Sequence, residues 1–155
     1  MSPQRISGDL VREAPSLRDD DTVEDAVRAV RGSGFPALPV VDSEGVLRGL
    51  FGEREFMAAL FPGYVGQLGY AGFVGRGLDG AIERRVACRA EPVGKHMNTD
   101  HVEVGHDFSD IEIVENFLHH RVLVIPVVDK GRVVGVITRA DFFARLAERF
   151  LDATG

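Results

Sequence analysis

Thr138 and Asp141 stand three residues apart where a predicted strand, Arg132 to Ile137, feeds a predicted helix. Free backbone N–H groups and the positive end of the helix dipole face outward at such a junction, which favours an anion such as phosphate. A carboxylate three residues after a hydroxyl can accept hydrogen bonds from vicinal ribose hydroxyls, as the acid of dinucleotide-binding folds does. The same pair also reads as a plain helix start, with Thr138 as N-cap and Asp141 as the third-position acid. Both readings stand on the residues alone. A related junction at Gly52 and Glu55 has lost the hydroxyl, and its acid is one methylene longer. That makes Glu55 the better candidate for a solvated helix-start acid.

Other constellations lead nowhere chemically. Gly75, Gly77 and Gly80 spell G-x-G-x-x-G, but no buried strand precedes them and no βαβ unit surrounds them, so a dinucleotide fingerprint is not supported. Cys88 lies in a basic stretch, ERRVACRAE, of the kind that can activate a thiol, yet a lone cysteine is most often buried filler. His96, His101 and His106, five residues apart, would alternate faces of a strand and do not converge on a metal; His119 and His120 close a helix, where positive charge suits the dipole. G-x-S-x-G, H-E-x-x-H and C-x-x-C are absent from the sequence, so the expectation is a protein without catalysis and without a metal.

The elements that position these residues belong to an ordinary globular chain. It has 155 residues, 45% of them hydrophobic and 27% charged, which is enough to bury a core and excludes disorder, a fibre or a disulfide-stapled miniature. Its formal net charge of −6 argues against nucleic acid or an anionic membrane as a partner held by bulk charge. The longest apolar run, Val122 to Val128, is far short of the roughly 20 residues a membrane span needs. The amino-terminal residues have no apolar segment of the signal-peptide kind. A single cysteine asks for no oxidising compartment, so a reducing cytoplasm is the default expectation.

The chain also repeats itself. At an offset of 87 residues, Asp20 pairs with Asp107, Thr22 with Ser109, Val27 with Val114, and LPVVD (Leu38 to Asp42) with IPVVD (Ile125 to Asp129). At an offset of 86, Gly45 meets Gly131, Gly49 meets Gly135, Phe56 meets Phe142, and GLFGERE lies on GVITRAD. Two units of about 55 residues, each marginal alone, should therefore share a core. Thr22 and Ser109, each with an acid three residues on, predict helix starts. Short apolar strands follow (Ala37 to Val41; Leu123 to Val128), then an Asp/Gly turn, a second strand (Val46 to Phe51; Arg132 to Ile137) and a closing helix. That helix is expected to turn Phe56, Met57 and Leu60, or Phe142, Phe143, Leu146 and Phe150, inward. The predicted class is α/β, in the order strand, helix, strand, strand, helix, twice.

That order, with LPVVD and IPVVD before the turn and GVITRAD after the second strand, resembles the cystathionine β-synthase (CBS) domain family. The resemblance covers nearly all of the chain outside a middle segment. It divides the chain into a first repeat at 6–60, a connecting insert at 61–92 and a second repeat at 93–150. It implies a pseudo-symmetric pair, a Bateman module, whose cleft binds an adenine nucleotide or adenosyl ligand such as AMP, ADP, ATP or S-adenosylmethionine. No required cofactor and no chemistry of its own are implied. Asp141 would hold the ribose, with Thr138 near ribose and phosphate. Asn98, Thr99, Val102, Leu123, Ile125 and Pro126 occupy the positions that form the adenine slot. Arg139 and Arg121 lead Arg54, Lys95, His96 and His120 as phosphate partners, because arginine pairs with phosphate bidentately.

Gly52 and Glu55 would mark a degenerate second site. With Pro15 standing where the second repeat has Val102, the site around the second repeat should bind more readily. A homodimer is expected, since each repeat carries more apolar helix face than one sheet covers. A regulated protein would sit on a separate chain. The alternative is a ligand-free scaffold that docks a partner through the apolar middle segment. Within that segment Gly63, Gly66, Gly69, Gly72 and Gly75 recur among Tyr64, Val65, Leu68, Tyr70, Phe73 and Val74. Such a stretch suits a flap, a dimer contact, a partner surface or a loop packed on its own domain. Leu78, Ala81, Ile82 and Val86 then predict a helical turn leading into the second repeat.

Overall fold

The computed structural model describes residues 5–62 and 77–154. The first repeat comprises β1 (Leu17–Arg18), α1 (Val23–Ser33), β2 (Ala37–Val41), β3 (Leu47–Gly52) and α2 (Glu53–Leu60). After α3 (Gly77–Arg85), the second comprises β4 (Val104–Gly105), α4 (Asp110–His119), β5 (Val124–Asp129), β6 (Arg132–Thr138) and α5 (Arg139–Asp152). Each repeat is one three-stranded sheet, β1-β2-β3 or β4-β5-β6, with the first pair parallel and the second antiparallel. The predicted order of elements is thus present twice.

Local chemistry sets the helix starts. Thr22 Oγ1 accepts from the Asp25 N–H at 3.1 Å, and Ser109 Oγ accepts from the Glu112 N–H at 3.1 Å. Each hydroxyl satisfies one backbone donor that the first helical turn leaves free. The β2–β3 turn is held by Asp42, whose carboxylate accepts from the Glu44 and Val46 N–H groups. Leu123 lies just before β5 rather than within it; its carbonyl accepts from the Arg139 N–H at 2.9 Å.

The two repeats exchange their lead-in segments. Arg12 and Val136 trade both backbone hydrogen bonds, at 2.9 and 2.8 Å, so the opening segment of the first repeat extends the sheet of the second. Asn98 and Leu50 do the same at 2.8 and 3.0 Å, so the opening segment of the second repeat extends the sheet of the first. The paired glycines of the repeat lie at these crossings. A Cβ on Gly135 would stand 2.6 Å from Val11 Cγ1, and one on Gly49 would stand 2.7 Å from the Asn98 carbonyl oxygen. Only a residue without a side chain admits the crossing strand so closely.

One core therefore spans both halves. Leu17, Leu38, Val40 and Phe51 of the first repeat cluster with Val93, Val124 and Val136, all buried. A second cluster under α4 and α5 gathers Val104, Phe108, Ile113, Ile125, Ile137 and Phe142. The closing helices depart from expectation. Phe142 is buried, but Met57, Phe143, Leu146 and Phe150 point outward and are exposed. Phe143, Leu146 and Phe150 form a stripe of their own at helical spacing, turned about 40–100° round the helix from Phe142. Among the described residues no helix is long and apolar enough to cross a membrane.

Candidate functional site

β6 ends at Thr138 and α5 begins at Arg139, so the Thr138–Asp141 pair sits at a strand-to-helix junction. The Thr138 hydroxyl is buried and accepts from the Asp141 N–H at 3.1 Å. It therefore serves as the N-cap, and its own proton is left for another acceptor. The Asp141 carboxylate turns to Arg12, whose guanidinium lies 3.1 Å away and 4.5 Å above the Phe35 ring. Arg139 is exposed at the same mouth. Around these groups opens a groove of about 600 Å³, closed by Leu123 and Phe143 on one side and by Gly34 and Pro36 of the first repeat on the other.

The pseudo-symmetric place in the first repeat is built differently. Glu55 accepts from the Gly52 N–H at 2.9 Å, the return half of a capping box, so its acid is already committed. Glu55 is half-buried rather than solvated as expected. Burial pushes its carboxyl above the ordinary range, outweighing the opposing pull of the Gly52 N–H and of Arg54. The cavity beside it is about 90 Å³, and Asn98, Arg121 and Leu123 line it with Arg54 and Glu55.

The lead-in exchange divides the sequence-derived candidates between the two places. Thr138, Arg139, Asp141 and Leu123 share the large groove, while Asn98, Arg121 and again Leu123 share the small one. Ile125 and Pro126 are buried in β5 and line neither. Val102 packs against the core under α4, and Thr99 is exposed outside both grooves. Lys95 and His96 both pair with Glu91, and His120 is exposed at the end of α4. The other two spaced histidines also have separate acids, His101 with Glu103 and His106 with Asp129.

The CBS domain profile matches residues 7–62 and again residues 93–148. The chain belongs to the CBS domain family. Solved CBS structures share its fold. A CBS domain protein from Streptococcus pneumoniae is 18% identical, with 97% of this chain and 88% of that one covered and a TM-score of 0.68. The CBS domain of a CBS-domain-containing membrane protein from Sphaerobacter thermophilus is 23% identical, at 90% and 86% coverage and a TM-score of 0.68. CBSX2, solved in complex with AMP, is 18% identical, at 96% and 99% coverage and a TM-score of 0.68. At these identities the likeness shows the CBS fold alone.

Within this CBS pair the residue that sequence reasoning missed is Arg12. The repeat offset pointed one residue away: at 87 Asn98 pairs with Val11, whereas in the structure Asn98 and Arg12 make the same backbone exchange in opposite repeats. The Gly-rich flap or contact surface expected of residues 63–76 lies outside the described residues. Leu78, Ala81 and Ile82 do fall on α3, where Ala81 is the buried one.

Proposed function

We propose that this CBS pair is a ligand-sensing regulatory module whose large groove takes an adenine nucleotide or adenosyl ligand. The observation that carries this reading is the Asp141 carboxylate. It stands at the mouth of a groove of about 600 Å³ and is not consumed by its own helix cap, unlike Glu55. Such an acid can accept both hydroxyls of a ribose, with the Thr138 proton and Arg139 beside it for a phosphate. The AMP complex of the structural relative CBSX2 supports the ligand class. In this reading AMP, ADP, ATP and S-adenosylmethionine are the candidates, no cofactor is required and the chain does no chemistry itself. It forms a homodimer and regulates a protein on another chain.

The test is a thermal-shift panel of those four ligands. A ligand at a hundred times its Kd stabilises by about 2.7 kcal/mol, or several degrees in a chain of this size. At least one member should raise the melting temperature, and a flat panel at millimolar ligand overturns the reading. A second reading, a ligand-free docking scaffold, draws on the groove of about 570 Å³ along α1 and α2, lined by Val27, Val30, Phe35, Phe51 and Phe56. A flat panel would favour it.

A further inference from the structure

Arg12 ties three parts of the molecule together. Its backbone is fixed to Val136 by two hydrogen bonds, its guanidinium lies over Phe35 of the first repeat, and its Nη1 meets Asp141 Oδ2. Its pseudo-symmetric counterpart in the small cavity is Asn98, which is neutral and faces an acid already bonded to Gly52. At this position a cation therefore stands only beside Asp141; the cations of the small cavity, Arg54 and Arg121, come from other parts of the chain. Both members of the pair are half-exposed, at 50% and 34%, so the contact is weak enough to exchange.

A ribose diol that uses both Asp141 oxygens competes with Arg12 for Oδ2. An uncharged nucleoside gives the displaced guanidinium no new partner. A phosphate does, and the planar fork of arginine pairs with it more strongly than with a half-solvated carboxylate edge. Arg12 and Arg139 together also leave the groove with one positive charge beyond Asp141, which opposes an adenosyl sulfonium. We infer that Arg12 sets the ligand class of this groove: it latches Asp141 in the free protein and transfers to phosphate in the bound one, so phosphorylated adenosine is selected over adenosine and S-adenosylmethionine. This rests on the reading that Asp141 holds a ribose.

The experiment is calorimetric titration of the full chain with AMP, adenosine and S-adenosylmethionine, using the parent, Arg12→Gln, Arg12→Lys and Asp141→Asn. The parent should prefer AMP to adenosine by about tenfold or more, the size of one charge-assisted hydrogen bond. Arg12→Gln should weaken AMP by about that factor while adenosine binds as well or better. Arg12→Lys should restore part of the preference. Parallel losses for AMP and adenosine in Arg12→Gln, or an unchanged ratio, overturn the inference and make Arg12 a structural strap. If Asp141→Asn weakens AMP while the Arg12 variants keep the parental ratio, the ribose reading stands and this inference alone fails. A parent that binds none of the three ligands overturns both. Should Arg12→Gln not fold, Arg12→Met, which keeps an unbranched stem beside Phe35 without the charge, makes the same test, and a parental ratio in it overturns the inference.

Discussion

Gly52 lies so close to Ala37 that a Cβ added at position 52 would stand 2.5 Å from the Ala37 Cβ, and nearer still to the Pro36 carbonyl oxygen. The two residues are register partners across β2 and β3, as Val124 and Thr138 are across β5 and β6. The first repeat therefore lacks the hydroxyl because its strands close too tightly to admit one. Making the repeats match with Gly52→Thr should not build a second site. Overpacking of this kind costs about 1–3 kcal/mol, and each kcal/mol shifts the melting temperature of a chain this size by about 2–4 °C. Thermal melts of Gly52→Thr should fall by several degrees, and calorimetry should show no added nucleotide binding. A variant that melts like the parent would mean that β2 and β3 can separate without cost.

Acid sensitivity should centre on Asp110. Burial pushes its carboxyl up, but the Ser7 hydroxyl and the Ile6 and Ser7 N–H groups outweigh that and hold it below the ordinary value. A folded-state pKa below the unfolded one stabilises the protein above the ordinary carboxyl pKa, about 3.9. That contribution is lost as pH falls through the lower folded value. Asp110→Asn should therefore melt a few degrees below the parent near neutral pH, and the gap should narrow as pH drops from about 5 to about 3. A gap that stays constant with pH would mean the carboxylate charge plays no part in holding residues 5–12 to α4.

Helix starts, turns and the duplication were legible because each depends on a few neighbouring residues. Thr22 and Ser109 cap as their spacing requires, and the Asp42 turn returns the chain where LPVVD ends. The exchange of lead-in segments was not legible, because nothing within residues 5–12 names the sheet they join. Grouping Asn98 with Thr138 and Asp141 failed for that reason, and Arg12 stayed hidden. The closing helix shows a subtler limit. A run such as RADFFARLAERF contains both a core face and an outer apolar stripe, and periodicity alone does not say which of Phe142 and Phe143 is covered by the sheet.

The outer stripe leads to a prediction about assembly. Phe143, Phe150 and Leu151 of α5 are at least 69% exposed, and Ile111 and Leu118 of α4 are 65% and 75% exposed. A two-fold pairing of these faces would bury them against their own copies. Light scattering should return about twice the chain mass of 16.9 kDa, and Phe150→Glu should shift it toward one chain. A parent that scatters as one chain at micromolar concentration would contradict the proposed homodimer.

The two acids provide the sharpest comparison between the repeats. A ribose held by Asp141 offers it two hydroxyl hydrogen bonds, and each bond to a charged group contributes about 1.5–3 kcal/mol. Asp141→Asn replaces an acceptor with a donor at one of those positions, so binding of the best nucleotide should weaken by about tenfold or more, one decade being about 1.4 kcal/mol. Glu55 is bonded to Gly52 beside a cavity of about 90 Å³, and glutamine keeps an acceptor for that N–H. Glu55→Gln should therefore leave nucleotide affinity nearly unchanged. It should also melt no lower than the parent near neutral pH, because it removes a charge that burial disfavours. The chosen changes are isosteric, and the Thr138 cap rests on the residue 141 backbone N–H, so circular dichroism should show both variants folded. An Asp141→Asn protein with parental affinity would leave Asp141 as a helix-start acid paired to Arg12. Loss of binding in Glu55→Gln alone would move the site to the first repeat.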